Sequence, residues 1–255
     1  MPLKDYIETI AVFTLRDYLE ECGDTQANRN LLSRAVKAGR VRRIKHGLYA
    51  SNTGRFRDIL PNRYAVVAVS VPDATYCYDS AFELIVGQQN LVERTVFYTR
   101  DRISSFEYLG HEYKPFPMPK NPIRTQGYRQ ADGTVENGTT LEQTIIDSVA
   151  RPSRCLGVEN VLRTISVVNT INARELAAIL KESSISVAAR IGWILEQKQE
   201  EWPVPEELLL NLKKRLGKGP YYFSTSHRRT ADSFDRNWKL YFPEPVETIK
   251  AWING

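Results

Sequence analysis

Between Thr25 and Arg57 the chain carries nine lysines or arginines (Arg29, Arg34, Lys37, Arg40, Arg42, Arg43, Lys45, Arg55 and Arg57) and no aspartate or glutamate. The full 255 residues hold 35 basic and 30 acidic side chains, so the other 222 residues carry 26 and 30 and are net acidic. The basic character of the protein therefore resides in one segment. Exposed surfaces ordinarily mix both signs of charge. A single-sign segment favours a polyanion at that place, and nucleic-acid phosphate is the commonest one.

The segment also dictates a local shape. Ala27, Leu31, Leu32, Ala35, Val36 and Ala38 recur at helical spacing, which predicts an amphipathic helix over Thr25–Ala38. Thr25 or Asp24 can cap its first turn, and Gly39 can end it in the left-handed conformation that glycine adopts without steric cost. At about 100° per residue, the face opposite the apolar stripe carries Gln26, Arg29, Asn30, Ser33 and Lys37, with Arg34 at its edge. Long donors and amides are the side chains that reach base edges and phosphates in a major groove. Asn28 falls on the apolar side and is expected to be structural.

After Gly39, the run VRRIKHGLYA reads as a short hairpin turning near His46-Gly47. Val41 and Ile44 have opposite parity in a two-residue alternation, so the pattern does not decide which of Arg42 and Arg43 points outward. Upstream, PLKDYIETIA and TLRDYLEECG read as two helices, the second capped by Thr14, within an acidic stretch of six acids and two bases over residues 1–24. Three helices followed by a basic hairpin are the parts of a winged helix-turn-helix with Thr25–Ala38 as recognition helix. Its core is expected from Leu15, Tyr18, Leu19, Leu31, Leu32, Val36, Leu48 and Tyr49. Arg40, Arg42, Arg43 and Lys45 would supply phosphate contacts from the hairpin.

SNTGRFRDILPN (51–62) reads as an exit loop, which sets expected domains at 1–58 and 59–255 with a possible sub-boundary near 152. YAVVAVSV (64–71), bounded by Pro72-Asp73, is a strand candidate. A helix near Ser80–Val86, a strand at 94–99, two strands joined around Gly110-His111 and a hairpin turning at Asp132-Gly133 follow. Thr140 to Gln143 forms a capping box for a helix that ends before Pro152. From Gly157 the pattern is mostly helical, with Asn172 and Glu175 as a cap pair, a strand at 238–242 and a closing helix. The fold class expected is α+β: a winged helix-turn-helix, then a mixed α/β domain with a helical C-terminal part.

The 42% hydrophobic and 25% charged composition is that of an ordinary globular protein. No apolar run approaches the roughly 20 residues that span a bilayer, and the N-terminus lacks a signal peptide's pattern, so no membrane partner and a cytoplasmic location are expected. Cys22, Cys77 and Cys155 lie far apart, as do His46, His111 and His227, and no metal site or cofactor is expected. P-loop, dinucleotide and nucleophile-elbow motifs are absent. One pattern resembles a metal-dependent nuclease centre: Pro72-Asp73 followed by Glu112-Tyr113-Lys114. Glu196-Gln197-Lys198 has the same form inside a helical run, so the tripeptide carries little meaning and no catalytic residue is assigned. Tyr76, Tyr78 and Phe82 are expected in a core, and Arg228, Arg229 and Arg236 beside Asp232 and Asp235 are expected to pair locally.

Four blocks in order resemble AbiEi-type antitoxins. These are VFTLRDYLEE…NRNLLSRAVKAGRVRRIKHGLYAS, YCYDSAFELIVGQQNLVERTVFYTR, GTTLEQTIIDSVARPSRCLGVENVL and ARIGWILE. The resemblance implies a winged helix that binds inverted repeats upstream of its own operon and represses it. It also implies a C-terminal part that counteracts a nucleotidyltransferase toxin encoded beside it, in a system of abortive phage infection. Two other readings stay open: a winged-helix transcription factor responsive to a small ligand, and a nuclease with a DNA-targeting module.

Overall fold

The computed structural model describes residues 1–87, 93–224 and 231–255. They form two compact units, Met1–Thr75 with Val92–Pro119, and Tyr76–Leu91 with Lys120–Gly255. Residues 59–75 and 93–119 thus belong with the first 58 residues. The architecture is α+β, and its N-terminal part is a winged helix.

That part begins with helix α1 (Leu3–Thr9), strand β1 (Val12–Thr14) and helix α2 (Leu15–Cys22). Thr14 caps α2 through a reciprocal box with Asp17, which satisfies two backbone donors at once. Helix α3 (Gln26–Lys37) is capped by Thr25, whose hydroxyl accepts from the Asn28 amide at 3.1 Å. Gly39 then takes φ +70° and turns the chain into the wing, β2 (Val41–Lys45) and β3 (Leu48–Ser51). The three strands form an antiparallel sheet in the order β1-β3-β2.

Tyr6, Phe13 and Tyr18 make the centre of this module. The Tyr6 ring stands edge-on to Phe13 at 5.2 Å and to Tyr18 at 5.5 Å, and Tyr49 stacks on Phe13 at 5.7 Å. Ile7, Leu19, Leu32, Ala35 and Val41 complete the buried set. The parity conflict between Val41 and Ile44 is resolved by a register shift between Arg43 and Lys45. This bulge lets both apolar residues face inward and leaves Arg43 exposed.

Helix α4 (Arg63–Ser70) replaces the strand expected over 64–71. Its β-branched run favours a strand, but Asn62 accepts from the Tyr64 amide at 2.8 Å and nucleates a turn. Tyr64, Val66, Val67 and Val71 are buried at helical spacing, and Pro72 stops the helix one residue later. Burial on one helix face outweighs the weak propensity.

Strand β4 (Thr75–Tyr76) and helix α5 (Tyr78–Val86) lead into the second unit, and the chain returns to the first with β5 (Arg94–Thr99), β6 (Phe106–Tyr108) and β7 (His111–Pro117). In the first unit, β7 lies between β5 (parallel) and β6 (antiparallel).

The second unit pairs Tyr76 with Gly138 and contains the hairpin β8 (Thr125–Arg129) and β9 (Val135–Thr139). Helices α6 (Leu141–Ala150), α7 (Val158–Ser166), α8 (Ala173–Lys181), α9 (Ile185–Gln197) and α10 (Glu206–Arg215) follow. Thr140 and Asn172 cap α6 and α8 as their spacing predicts. Strands β10 (Tyr221–Tyr222), β11 (Ser233–Asp235) and β12 (Leu240–Phe242) and helix α11 (Val246–Asn254) close the chain. Tyr76, Tyr78 and Phe82 are core residues, as expected. Arg228 and Arg229 lie outside the described residues; Asp235 accepts the Trp238 amide at 2.8 Å.

Helix α9 is the axis of this unit, and three of its residues show why ARIGWILE has the composition it has. The buried Arg190 guanidinium donates to the carbonyls of Val149, Ala150 and Tyr222 at 2.8–3.1 Å, so it satisfies the C-terminal end of α6. Burial lowers its pKa to about 10. Gly192 lies against the Trp238 ring, where a Cβ would sit 2.0 Å from the nearest ring atom. Glu196 accepts from the Trp238 indole and from Lys213, both at 2.8 Å. Gly192→Ala is predicted to displace Trp238 and lower stability by about 3 kcal/mol or more, measured by urea unfolding with tryptophan fluorescence.

Candidate nucleic-acid interface

Leu32 and Ala35 seat α3 against the aromatic centre, and that choice sets which side chains face out. Gln26, Arg29, Asn30, Ser33, Arg34 and Lys37 are all exposed, as the periodicity predicts. Asn28 is structural, as expected: its amide donates to the carbonyls of Cys22 and Gly23 at 2.7 and 2.8 Å, tying α3 to the end of α2. Tyr18 donates from its hydroxyl to the Asn28 carbonyl at 3.1 Å.

One expectation about the helix is overturned. Leu31 is not a core residue but is 42% exposed. With Leu32 and Ala35 at the centre of the buried face, Leu31 stands on its far edge, and Ala27 one turn earlier is exposed beside it. The outward face is thus centred on Asn30 and Arg34. Arg29 and Ser33 flank it on one side, and Ala27 and Leu31 on the other.

The nine basic groups are not equivalent. Asp24 and Asp58, the two acids that immediately border the acid-free segment, both pair inward. Asp24 Oδ1 accepts from Arg29 at 2.7 Å, and Asp58 Oδ1 accepts from Arg42 at 3.0 Å. Arg55 donates to the Thr9 carbonyl at 2.8 Å and packs on Phe56. Lys45 is half-buried with its ammonium 4.1 Å from the centre of the Phe106 ring on β6, and burial lowers its pKa. Lys45 thus also packs within the wing, and Arg29 engages Asp24 through Nε and Nη2. Arg34, Lys37, Arg40 and Arg43 are exposed and have no carboxylate within ion-pair distance among the described residues. They run from the last turn of α3 through the Gly39 turn onto β2.

Legibility differs among these partners. Asp24 and Asp58 are near neighbours of the arginines they hold and a sequence reading could have weighed them. Phe106 could not have been found, because only the folded sheet brings it to Lys45. An open groove of ≈ 520 Å³ lies beside the Arg29–Asp24 pair, lined also by Thr14, Leu15, Leu19 and Gly47.

The nuclease-like residues are not brought together. Asp73 accepts from the Thr99 hydroxyl at 2.7 Å and the Arg100 amide at 2.9 Å, at the C-terminal end of β5. Glu112 pairs in register with Arg94 at the opposite end of the same strand. Five residues of extended chain separate them, about 16 Å. Glu112 and Lys114 form their own half-exposed ion pair at 3.7 Å. Among the described residues no cluster of three His, Cys, Asp or Glu could hold a metal ion, and no helix is long and apolar enough to cross a membrane.

No family model and no curated protein matches the chain. Among solved structures, the chain is similar to the crystal structure of the Rv2827c protein from Mycobacterium tuberculosis. The TM-score is 0.66 at 13% identity, over 96% of this chain and 90% of that one. At that identity the likeness is one of fold.

Lys45→Ala is predicted to lower stability by about 1 kcal/mol through the lost ring contact. Lys37→Ala, on the open face, should leave stability within about 0.5 kcal/mol. Urea unfolding of the two variants checks the distinction.

Proposed function

We propose that this chain is a sequence-specific double-stranded DNA-binding protein that represses its own operon, and that residues beyond the winged helix counteract a nucleotidyltransferase toxin encoded beside it. The observation that carries the first half is the run of exposed cations Arg34, Lys37, Arg40 and Arg43 on the winged helix, with no carboxylate within ion-pair distance among the described residues. Such a run neutralises consecutive phosphates, while the polar face of α3 meets base edges. The wing contributes Arg43 and the exposed His46 tip, and its Lys45 packs on Phe106. The antitoxin half is supported by the resemblance of four blocks to AbiEi-type antitoxins, and it includes a cytoplasmic location and an operator with inverted repeats. In this reading the protein needs no metal, cofactor or catalytic group.

The test is anisotropy of the full chain with duplex DNA from upstream of its own gene, over roughly 50 to 200 mM salt. Affinity that falls steeply with salt and exceeds that for unrelated duplex is expected; equal binding to both, or none, would remove the repressor reading. Lys37→Ala and Arg43→Ala should each reduce the logarithmic salt slope by about 0.9 if each neutralises one phosphate, whereas Arg34→Ala should alter the preference among sequences. Asp24→Asn should act in the opposite direction. By freeing Arg29, it is expected to raise affinity several-fold at low salt, whereas a purely structural Arg29–Asp24 pair would give no gain. For the antitoxin half, co-expression with the neighbouring nucleotidyltransferase should restore growth, and the same rescue should survive Arg34→Ala with Lys37→Ala.

A further inference from the structure

Leu31 is 42% exposed on a largely basic and polar helix face. The core beneath α3 is filled by Leu32 and Ala35, and Leu31 points away from both. Ala27 lies one turn before it, and Ala38, the residue that caps the helix end, two turns after it, all three exposed. The outward surface of α3 is therefore divided lengthwise. One strip is polar, Gln26 with Asn30 and Lys37, and the other is apolar, Ala27 with Leu31; Arg34 stands between them. The polar strip is also pre-ordered, since the Gln26 amide donates to Asn30 Oδ1 at 3.0 Å and holds the Asn30 side chain along the helix.

A major groove offers a matching division. Each A·T pair presents an adenine edge, with N7 accepting and N6 donating, and beside it the thymine 5-methyl, the one apolar group on any base edge there. An asparagine satisfies adenine with two hydrogen bonds, an arginine satisfies guanine O6 and N7, and an alkyl side chain packs on the methyl. The positive charge of Arg34, Lys37, Arg40 and Arg43 around the apolar strip favours a nucleic-acid occupant over an apolar protein surface.

We propose that Leu31, with Ala27, is a specificity-determining contact that reads thymine 5-methyl groups, next to adenine recognition by Asn30 and guanine recognition by Arg34. The operator half-site is then built around A·T pairs with a neighbouring G·C pair. This inference rests on the DNA-binding reading above and adds what the helix selects.

The experiment starts by selecting bound sequences from a randomised duplex library with the full chain. Each thymine of the preferred half-site is then replaced by deoxyuridine, which removes the methyl and keeps the pairing. For the unmodified protein we expect roughly a three- to fivefold loss at one or two positions, the scale of one buried methyl. Leu31→Ala, an exposed substitution, should bind the thymine site more weakly and show no further loss with deoxyuridine. Methyl sensitivity that persists in Leu31→Ala, or that is absent from the unmodified protein, would overturn the inference while leaving salt-dependent DNA binding intact. A change of sedimentation on Leu31→Ala without DNA would assign the leucine to self-association and overturn it as well. Absence of any duplex binding would overturn it together with the reading on which it rests.

Discussion

The winged-helix module depends on how α3 is seated. Leu32 and Ala35 enter a centre made by Tyr6, Phe13 and Tyr18, and Asn28 fastens the start of the helix to the carbonyls that end α2. Burying Leu32 alone is worth about 2 kcal/mol. A rotation of α3 by one residue would bury Leu31 in its place and turn Arg29 and Ser33 to the middle of the outward face. The seating therefore decides the chemistry presented outward, and Asn30 and Arg34 occupy its centre because of it.

Charge acts on top of that geometry. A count of nine cations in 33 residues overstates what is available, since folding commits several of them. Arg29 and Arg42 are held by the acids that border the segment, Arg55 by a backbone carbonyl and Lys45 by an aromatic ring. Five have no carboxylate within ion-pair distance among the described residues, Arg57 and, along one continuous path, Arg34, Lys37, Arg40 and Arg43. A path of this kind suits a regular polyanion, and the paired arginines beside it can exchange a carboxylate for a phosphate at little electrostatic cost.

The second unit follows a different logic, in which polar groups serve packing. Arg190 completes the end of α6, Gly192 admits Trp238 to close contact, and Glu196 takes the indole proton and the Lys213 ammonium. Each part of ARIGWILE thus has a structural duty.

Periodicity and punctuation by themselves determined the three N-terminal helices with their Thr14 and Thr25 caps, the wing turning at Gly47, the β5 strand, the Asp132-Gly133 hairpin and the capped helices of the second unit. The caps, helices and hairpin turns among these rest on contacts within a few residues, which local patterns encode, and β5 on an apolar β-branched and aromatic run. Tertiary structure alone decided four things. It made 63–70 a helix, because burial of Tyr64, Val66 and Val67 on one face outweighs the strand preference of a valine-rich run. It turned Leu31 outward, because two apolar rows could both have faced the core and the aromatic centre accepts one. It set Lys45 against Phe106, which reaches it only through the β-sheet, and it set Asp73 and Glu112 at opposite ends of β5, because strand register is a property of the folded sheet. What a sequence spells locally it determines; which of two equally good faces is buried depends on partners far along the chain.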